Sequence, residues 1–122
     1  MADVRVVGLG MAVLDILIRL REMPRWEQGA RLSAAAIDGG GPVATAMAAV
    51  SRLGVSAGFV GTWGSDRLAE IKMETLVENG LDVSRMVRRP GPENQVRVQG
   101  MWMRWISDPL SGLRTFGDNQ LQ

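Results

Sequence analysis

Short apolar runs rich in β-branched residues alternate with helical segments along the first two thirds of the chain. Residues 4–9 and 56–62 have the pattern of buried strands, and residues 43–54 and 66–79 have the pattern of helices. This order is typical of an α/β fold in which right-handed crossovers connect parallel strands. The alternation therefore predicts a small, mainly parallel sheet with flanking helices. Further strand patterns occur at residues 15–20, 31–38 and 83–87.

The helix predicted over residues 43–54 has the clearest boundaries. Pro42 precedes it, Arg52 lies in its last turn, and Gly54 stands where a helix C-cap belongs. Its small apolar residues leave only a thin polar face, so we expect this helix to be buried on most sides.

The second predicted helix starts at Asp66 and stops at Gly80. We expect it to pack through its apolar positions, which are Ala69, Ile71, Leu76 and Val77.

The C-terminal segment has the pattern of a hairpin. Residues 94–106 and 113–116 read as two strands around a turn at residues 108–112. Trp102 and Trp105, with neighbouring methionines, give the first strand a wide apolar surface that a hairpin alone cannot bury. This surface should pack against the rest of the chain or against another molecule.

Composition excludes several kinds of site. The sequence has no cysteine, histidine or tyrosine, so thiolate and imidazole metal ligands are excluded and any acid–base chemistry falls to Asp, Glu or Lys. A formal net charge of +1 gives no reason to expect nucleic acid or a membrane surface as a partner. With no signal-peptide pattern and no apolar run of about 18 residues, a cytoplasmic location is the expectation.

The glycine run at residues 39–41 stands at the start of the first helix. Glycines let the backbone approach a ligand closely, and the free amides of a helix N-terminus attract anions or hydroxyl oxygens. A plain flexible turn is the alternative interpretation. The run is not a P-loop, because no Gly-Lys-Ser/Thr follows it. The Gly8-Leu9-Gly10 segment likewise lacks the third glycine of a dinucleotide fingerprint.

Asp15 is a carboxylate within a very apolar run, Val13 to Ile18. Burying an unpaired charge is costly, so its presence needs a reason. Its side chain either extends from the end of the strand into water or accepts hydrogen bonds from a polyhydroxylated ligand. The residues alone leave both interpretations open.

Together these segments resemble the opening of a ribokinase/PfkB-type carbohydrate or nucleoside kinase. The resemblance covers roughly residues 4–87 and is carried by GLGMAVLDILIRL, GGGPVATAMAAVSRLG, GFVGTWGSD and ENGLDVSRMV. It implies one truncated ribokinase-like domain over residues 1–122. It also implies a protruding β lid formed by strands at roughly residues 13–37 and 94–117.

The resemblance further implies a substrate site. Asp15 falls where the family holds a carboxylate that bonds sugar or nucleoside hydroxyls, and Gly39, Gly40 and Gly41 fall on the glycine segment of that pocket. Ala44 stands where the family commonly has an asparagine that contacts the ligand. No catalytic or metal-binding residue is assigned, because the family's Gly-x-Gly-Asp motif has no match in the sequence. ATP and Mg²⁺ are implied only for a full-length family member.

The resulting expectation is the N-terminal, substrate-binding part of a sugar kinase-like protein that lacks the catalytic half and is inactive alone. We expect it to form a homo-oligomer through its lid or an exposed sheet. Two alternatives remain: a non-catalytic oligomerising or ligand-binding protein derived from this fold, and an unrelated α/β domain whose glycines are purely structural.

Overall fold

A computed structural model describes residues 3–102 of the chain and the side chains of residues 3–100. The described residues form two compact units, one made of residues 3–15 and 38–97 and the other of residues 16–37 and 98–102. The predicted turn at residues 108–112, the strand at 113–116, Trp105 and the side chain of Trp102 lie outside the described part. The elements in chain order are β1 (Val6–Leu9), β2 (Val13–Leu20), β3 (Leu32–Gly40), α1 (Pro42–Arg52), β4 (Ala57–Val60), β5 (Thr62–Trp63), α2 (Arg67–Glu78), β6 (Val87–Arg88) and β7 (Val96–Trp102).

The first unit is built on parallel strand pairs. β1 pairs with β4 in a register that sets Val6 opposite Ala57 and Leu9 opposite Val60. β5 pairs in parallel with β6. Two helices and small parallel sheets are what the sequence alternation predicts, and the predicted α/β class is confirmed.

Helix α1 packs against β1 at a glycine. A Cβ atom at Gly8 would lie 2.5 Å from Met47 Cγ and 2.7 Å from Val43 Cγ1, so only glycine lets the helix approach this closely. The core beneath the helix consists of Ala12, Ala44, Ala57, Phe59, Leu76 and Leu81. The expectation that α1 is buried on most sides is wrong, because Ala44 is its one buried residue.

The two helices begin and end as the sequence predicts, to within two residues. Asp66 caps α2, since its Oδ1 accepts the backbone N–H of Ala69 at 3.0 Å. Gly54 and Gly80 follow the two helices with φ of +85° and +77°, a conformation that glycine adopts without strain.

The strand predicted over residues 83–87 is largely wrong. A turn occupies most of this stretch, because Asp82 Oδ1 accepts the backbone N–H of Ser84 at 2.9 Å and the N–H of Met86 bonds to Val83 O at 3.0 Å. These local bonds hold the backbone away from a ladder until Val87. The strand that forms there has two residues, Val87 and Arg88.

The second unit contains most of β2 and β3 and the C-terminal part of β7. The three strands form one sheet with β2 in its centre. Near the connection between β2 and β3, the N–H of Arg25 and the O of Gln28 are 2.9 Å apart. The assignment of a lid to residues 13–37 and 94–117 stays a prediction. None of the helices within residues 3–102 is long and apolar enough to cross a membrane.

Candidate functional site

Asp15 is buried, with 7% of the residue exposed. Its carboxylate accepts two hydrogen bonds from one guanidinium, from Arg97 Nε to Oδ1 at 2.9 Å and from Arg97 Nη2 to Oδ2 at 3.1 Å. The interpretation in which Asp15 leaves the strand for water is therefore wrong. Arg97 satisfies the carboxylate as a charged partner, and this pairing was not predicted from the sequence.

Gly40 lies directly beside this carboxylate. A Cβ atom at Gly40 would clash with Asp15 Oδ2, so the absence of a side chain is what makes room for the acid. The structure thus brings together two of the four predicted site residues, 25 positions apart in the sequence.

The other two glycines, Gly39 and Gly41, contact different parts of the chain. A Cβ at Gly39 would approach Thr75 Oγ1 to 2.9 Å, which places that side of Gly39 toward α2. Gly41 has φ of +95°, and a Cβ there would lie 2.7 Å from Met11 O. Gly41 is therefore required by the backbone turn that starts α1, whatever else it does.

The N-terminus of α1 has no side-chain cap. Gly41 is its N-cap, Pro42 occupies its first turn, and that turn contains no acidic residue. The amides at this end of the helix therefore keep their attraction for an oxygen atom or an anion. Ala44, which stands at the family's asparagine position, is buried and offers no polar contact.

A second ion pair lies deeper in the same unit. Lys72 Nζ is 2.9 Å from Glu93 Oε2, and both side chains are completely buried. Lys72 also donates to Thr62 O at 3.0 Å and to Gln95 Oε1 at 3.1 Å. This pair was not predicted from the sequence. Val77, which was predicted to be a packing residue of α2, is 56% exposed. The buried positions of α2 are Ala69, Lys72 and Leu76, so the lysine lies on its packed face.

Glu93 holds the segment before β7 in place. Its Oε2 accepts the backbone N–H of Gly64 and its Oε1 accepts that of Gln95, both at 2.9 Å. Burial by itself raises the pKa of Glu93, but the N–H of Gln95, the Lys72 ammonium and the N–H of Gly64 together hold that pKa below its ordinary value. Glu93 is therefore a charged carboxylate at neutral pH, and it fixes the chain two residues before Arg97 enters its pair.

Each unit contains a cavity, and neither of these two cavities is lined by Asp15. In the first unit a cavity of about 510 Å³ lies between α1 and α2 and is lined by Gly39, Ala48, Arg52, Thr75 and Asn79 among others. Asp15, Gly40 and Arg97 are not part of its lining. In the second unit a cavity of about 550 Å³ lies at residues 21–29. Within residues 3–102 no group of three or more acidic side chains is placed to hold a metal ion.

Solved structures with this architecture are numerous. The chain superposes on a ribokinase candidate from Agrobacterium tumefaciens with a TM-score of 0.70 and 30% sequence identity over 80% of this chain. The chain has a partial ribokinase-like fold. That match confirms the resemblance predicted from the sequence. The chain spans 32% of the Agrobacterium protein.

Two further ribokinase-like structures extend the comparison. The Arabidopsis thaliana ribokinase complexed with ribose and ATP has a TM-score of 0.69 at 22% identity, over 80% of this chain and 32% of that one. The tetrameric inhibited form of phosphofructokinase-2 from Escherichia coli has a TM-score of 0.64 at 18% identity, over 81% and 32%. No family model matches the sequence, and no curated protein matches it.

Proposed function

We propose that this chain is the substrate-binding part of a ribokinase-like carbohydrate or nucleoside kinase. The observation that carries the proposal is the buried Asp15 carboxylate, set against Gly40 in a chain whose fold matches sugar kinases. Each carboxylate oxygen accepts one bond from Arg97 and keeps a second lone pair for a ligand hydroxyl.

The proposed role is binding and orientation, without phosphate transfer. Transfer of phosphate from ATP, with Mg²⁺, belongs in this proposal to the part of a full-length kinase that this sequence does not match. Phosphoryl transfer depends on positioning and on neutralising the phosphates, and the residues proposed here contact the sugar instead. Incubated with ATP, Mg²⁺ and a sugar panel, the 122-residue chain should form no ADP above background.

Ligand-induced stabilisation tests the binding role. At a ligand concentration about one hundred times Kd, the chain should gain about 2.7 kcal/mol, which raises Tm by on the order of 10 °C in a domain of this size. A panel of pentoses, hexoses and nucleosides would be scanned by thermal denaturation.

Asp15→Asn keeps the shape of the side chain and removes its charge. Hydrogen bonds to a charged acceptor contribute about 1.5 to 3 kcal/mol, so ligand affinity should fall at least about tenfold. Glu78→Gln is the matched control, because Glu78 is an exposed carboxylate at the end of α2, away from Asp15 in the sequence and from the glycine run. Equal ligand shifts in both variants would exclude Asp15 from the site.

We also propose that the chain associates with itself through an exposed sheet face. Gly8 faces α1, so its neighbours Val7 and Leu9 project from the opposite face of β1. Val7 is 50% exposed and Leu9 is 76% exposed. Contiguous exposed apolar surface on a sheet commonly marks an interface, and a phosphofructokinase-2 with a similar fold is described as tetrameric.

A further inference from the structure

Arg97 presents an exposed cation beside the buried Asp15 carboxylate. The side chain of Asp15 is 10% exposed, whereas that of Arg97 is 59% exposed. A molecule that approaches from solvent therefore meets the guanidinium before it meets the carboxylate. The cation is also held still, because two parallel bonds to one carboxylate fix the plane of the group.

Part of the guanidinium remains available to a ligand. Arginine carries five N–H donors, and the pair with Asp15 uses one on Nε and one on Nη2. Among the described residues, no acceptor bonds the two N–H groups of Nη1 or the second one of Nη2. These donors share the plane of the fixed guanidinium, which is the arrangement that matches two oxygens of a carboxylate or phosphate.

The charge of the site changes with this pair. A lone buried carboxylate repels an anionic ligand, but Asp15 and Arg97 together carry no net charge. The exposed end of the pair is positive, so an anionic group gains a charge-assisted hydrogen bond there, about twice as strong as the bond a neutral hydroxyl would make. The inner end still accepts hydroxyl donors.

We propose that Arg97 determines specificity and that the site takes a sugar bearing an anionic group. This inference rests on the proposed function. The hydroxyls of the sugar bond Asp15, while its carboxylate or phosphate bonds the outer edge of the guanidinium. Arg97 thus contacts the ligand directly and also positions the carboxylate that holds the hydroxyls.

The test measures dissociation constants of the 122-residue chain for four probes: fructose, fructose 6-phosphate, gluconate and inorganic phosphate. The wild-type chain should bind at least one anionic sugar about tenfold more tightly than fructose, the factor expected when a neutral hydrogen bond becomes a charged one. Preference for fructose 6-phosphate or for gluconate identifies the anion as phosphate or carboxylate. Inorganic phosphate should bind more weakly than the preferred sugar, because it lacks the hydroxyls that Asp15 accepts.

Three variants separate specificity from structural support. Arg97→Gln should reduce the preference for the anionic sugar to within about threefold, the residual difference left by neutral hydrogen bonds. Arg97→Lys keeps a positive charge beside Asp15 but loses the planar fork, so it should fold and lose most of the preference. Arg67→Gln is the matched control, since Arg67 is an exposed arginine paired with Glu70 at 3.0 Å, and it should retain the preference.

Several results would overturn the inference. If fructose binds as tightly as the anionic sugars, Arg97 does not select an anion, although the proposed sugar site stands. If Arg97→Gln and Arg97→Lys weaken all probes equally, Arg97 acts only by supporting Asp15. If inorganic phosphate binds as tightly as the sugars, the cation is a plain anion site. If no sugar binds at all, the proposed function fails together with the inference.

Discussion

Lys72 is the single lysine of the sequence, and its side chain is fully buried against Glu93. Lys72→Met keeps an unbranched apolar side chain in the packed face of α2 and removes the ammonium. Glu93 would then remain buried, with Arg89 Nη2 at 3.5 Å as its remaining cation among the described side chains. Removing one partner of a buried pair costs about 3 to 5 kcal/mol, and we expect about 3 because Arg89 and two backbone N–H groups still face the carboxylate.

Urea denaturation measures this loss. With a urea m-value of about 1 to 3 kcal/mol per molar, a loss of about 3 kcal/mol lowers the unfolding midpoint by about 1 to 3 M. Arg67→Met is the matched control, because the side chains of its ion pair with Glu70 are 69% and 51% exposed. An exposed pair contributes at most about 1 kcal/mol, so the control should shift the midpoint far less.

A double-mutant cycle isolates the pair itself. Lys72→Met combined with Glu93→Gln removes both charges, so it should be more stable than the sum of the single losses implies, by about 0.5 to 3 kcal/mol. Amine-reactive labelling gives an independent readout, since the buried Lys72 ammonium should react only after unfolding. A loss below about 1 kcal/mol in Lys72→Met, or rapid labelling of Lys72 in the native chain, would refute the buried pair.

Three further predictions concern the site, the exposed sheet face and acid stability. Gly40→Ala should lower the free energy of unfolding by about 1 to 3 kcal/mol and weaken sugar binding, because its Cβ would meet Asp15 Oδ2. Gly29→Ala has open space at its Cβ and should change neither property. Thermal denaturation with and without sugar measures both effects. Leu9→Ser should shift the chain toward monomer in light scattering, while Leu53→Ser, which changes an equally exposed leucine away from β1, should not. Because the pKa of Glu93 is lowered by folding, its contribution to stability is present above the unfolded pKa of about 4.3 and is lost as pH falls through the folded pKa. Urea midpoints should therefore drop below about pH 4.3, and Glu93→Gln should flatten that part of the profile; an unchanged slope would contradict the role of Glu93.

Local chemistry made the helices predictable. Asp66 and Gly80 act on the backbone within a few residues of themselves, so their effect on α2 can be read from a short window. The same holds for Pro42 at the start of α1. The strand predicted at residues 83–87 failed for a related reason: an apolar pattern gave no weight to the side chain of Asp82, which forms a turn with Ser84.

Long-range pairing could not be read in this way. The partner of Asp15 lies 82 residues away in the sequence, and that of Lys72 lies 21 residues away. Neither pair leaves a periodic signal, since the two charges of each pair lie in segments far apart in the sequence. The sequence did show that Asp15 is a charged residue within an apolar run, where an unpaired charge would be costly to bury. The same question asked of Lys72, the one lysine on the packed side of α2, would have predicted a buried acidic partner.

The two ion pairs differ in exposure, and this difference separates their roles. Lys72 and Glu93 are both inaccessible, so no ligand can reach either group without unfolding the segment that they hold. In the Asp15–Arg97 pair the acid is buried while the base is more than half exposed. A pair formed only for stability has no need of an exposed end, because partial solvation weakens the attraction between its charges. Glu93 accepts the backbone N–H of Gln95, two residues before Arg97. The buried Lys72–Glu93 pair therefore fixes the backbone that carries Arg97. Loss of Lys72 should therefore loosen Arg97 as well, and Lys72→Met should weaken the preference for anionic sugars even under conditions in which the chain stays folded.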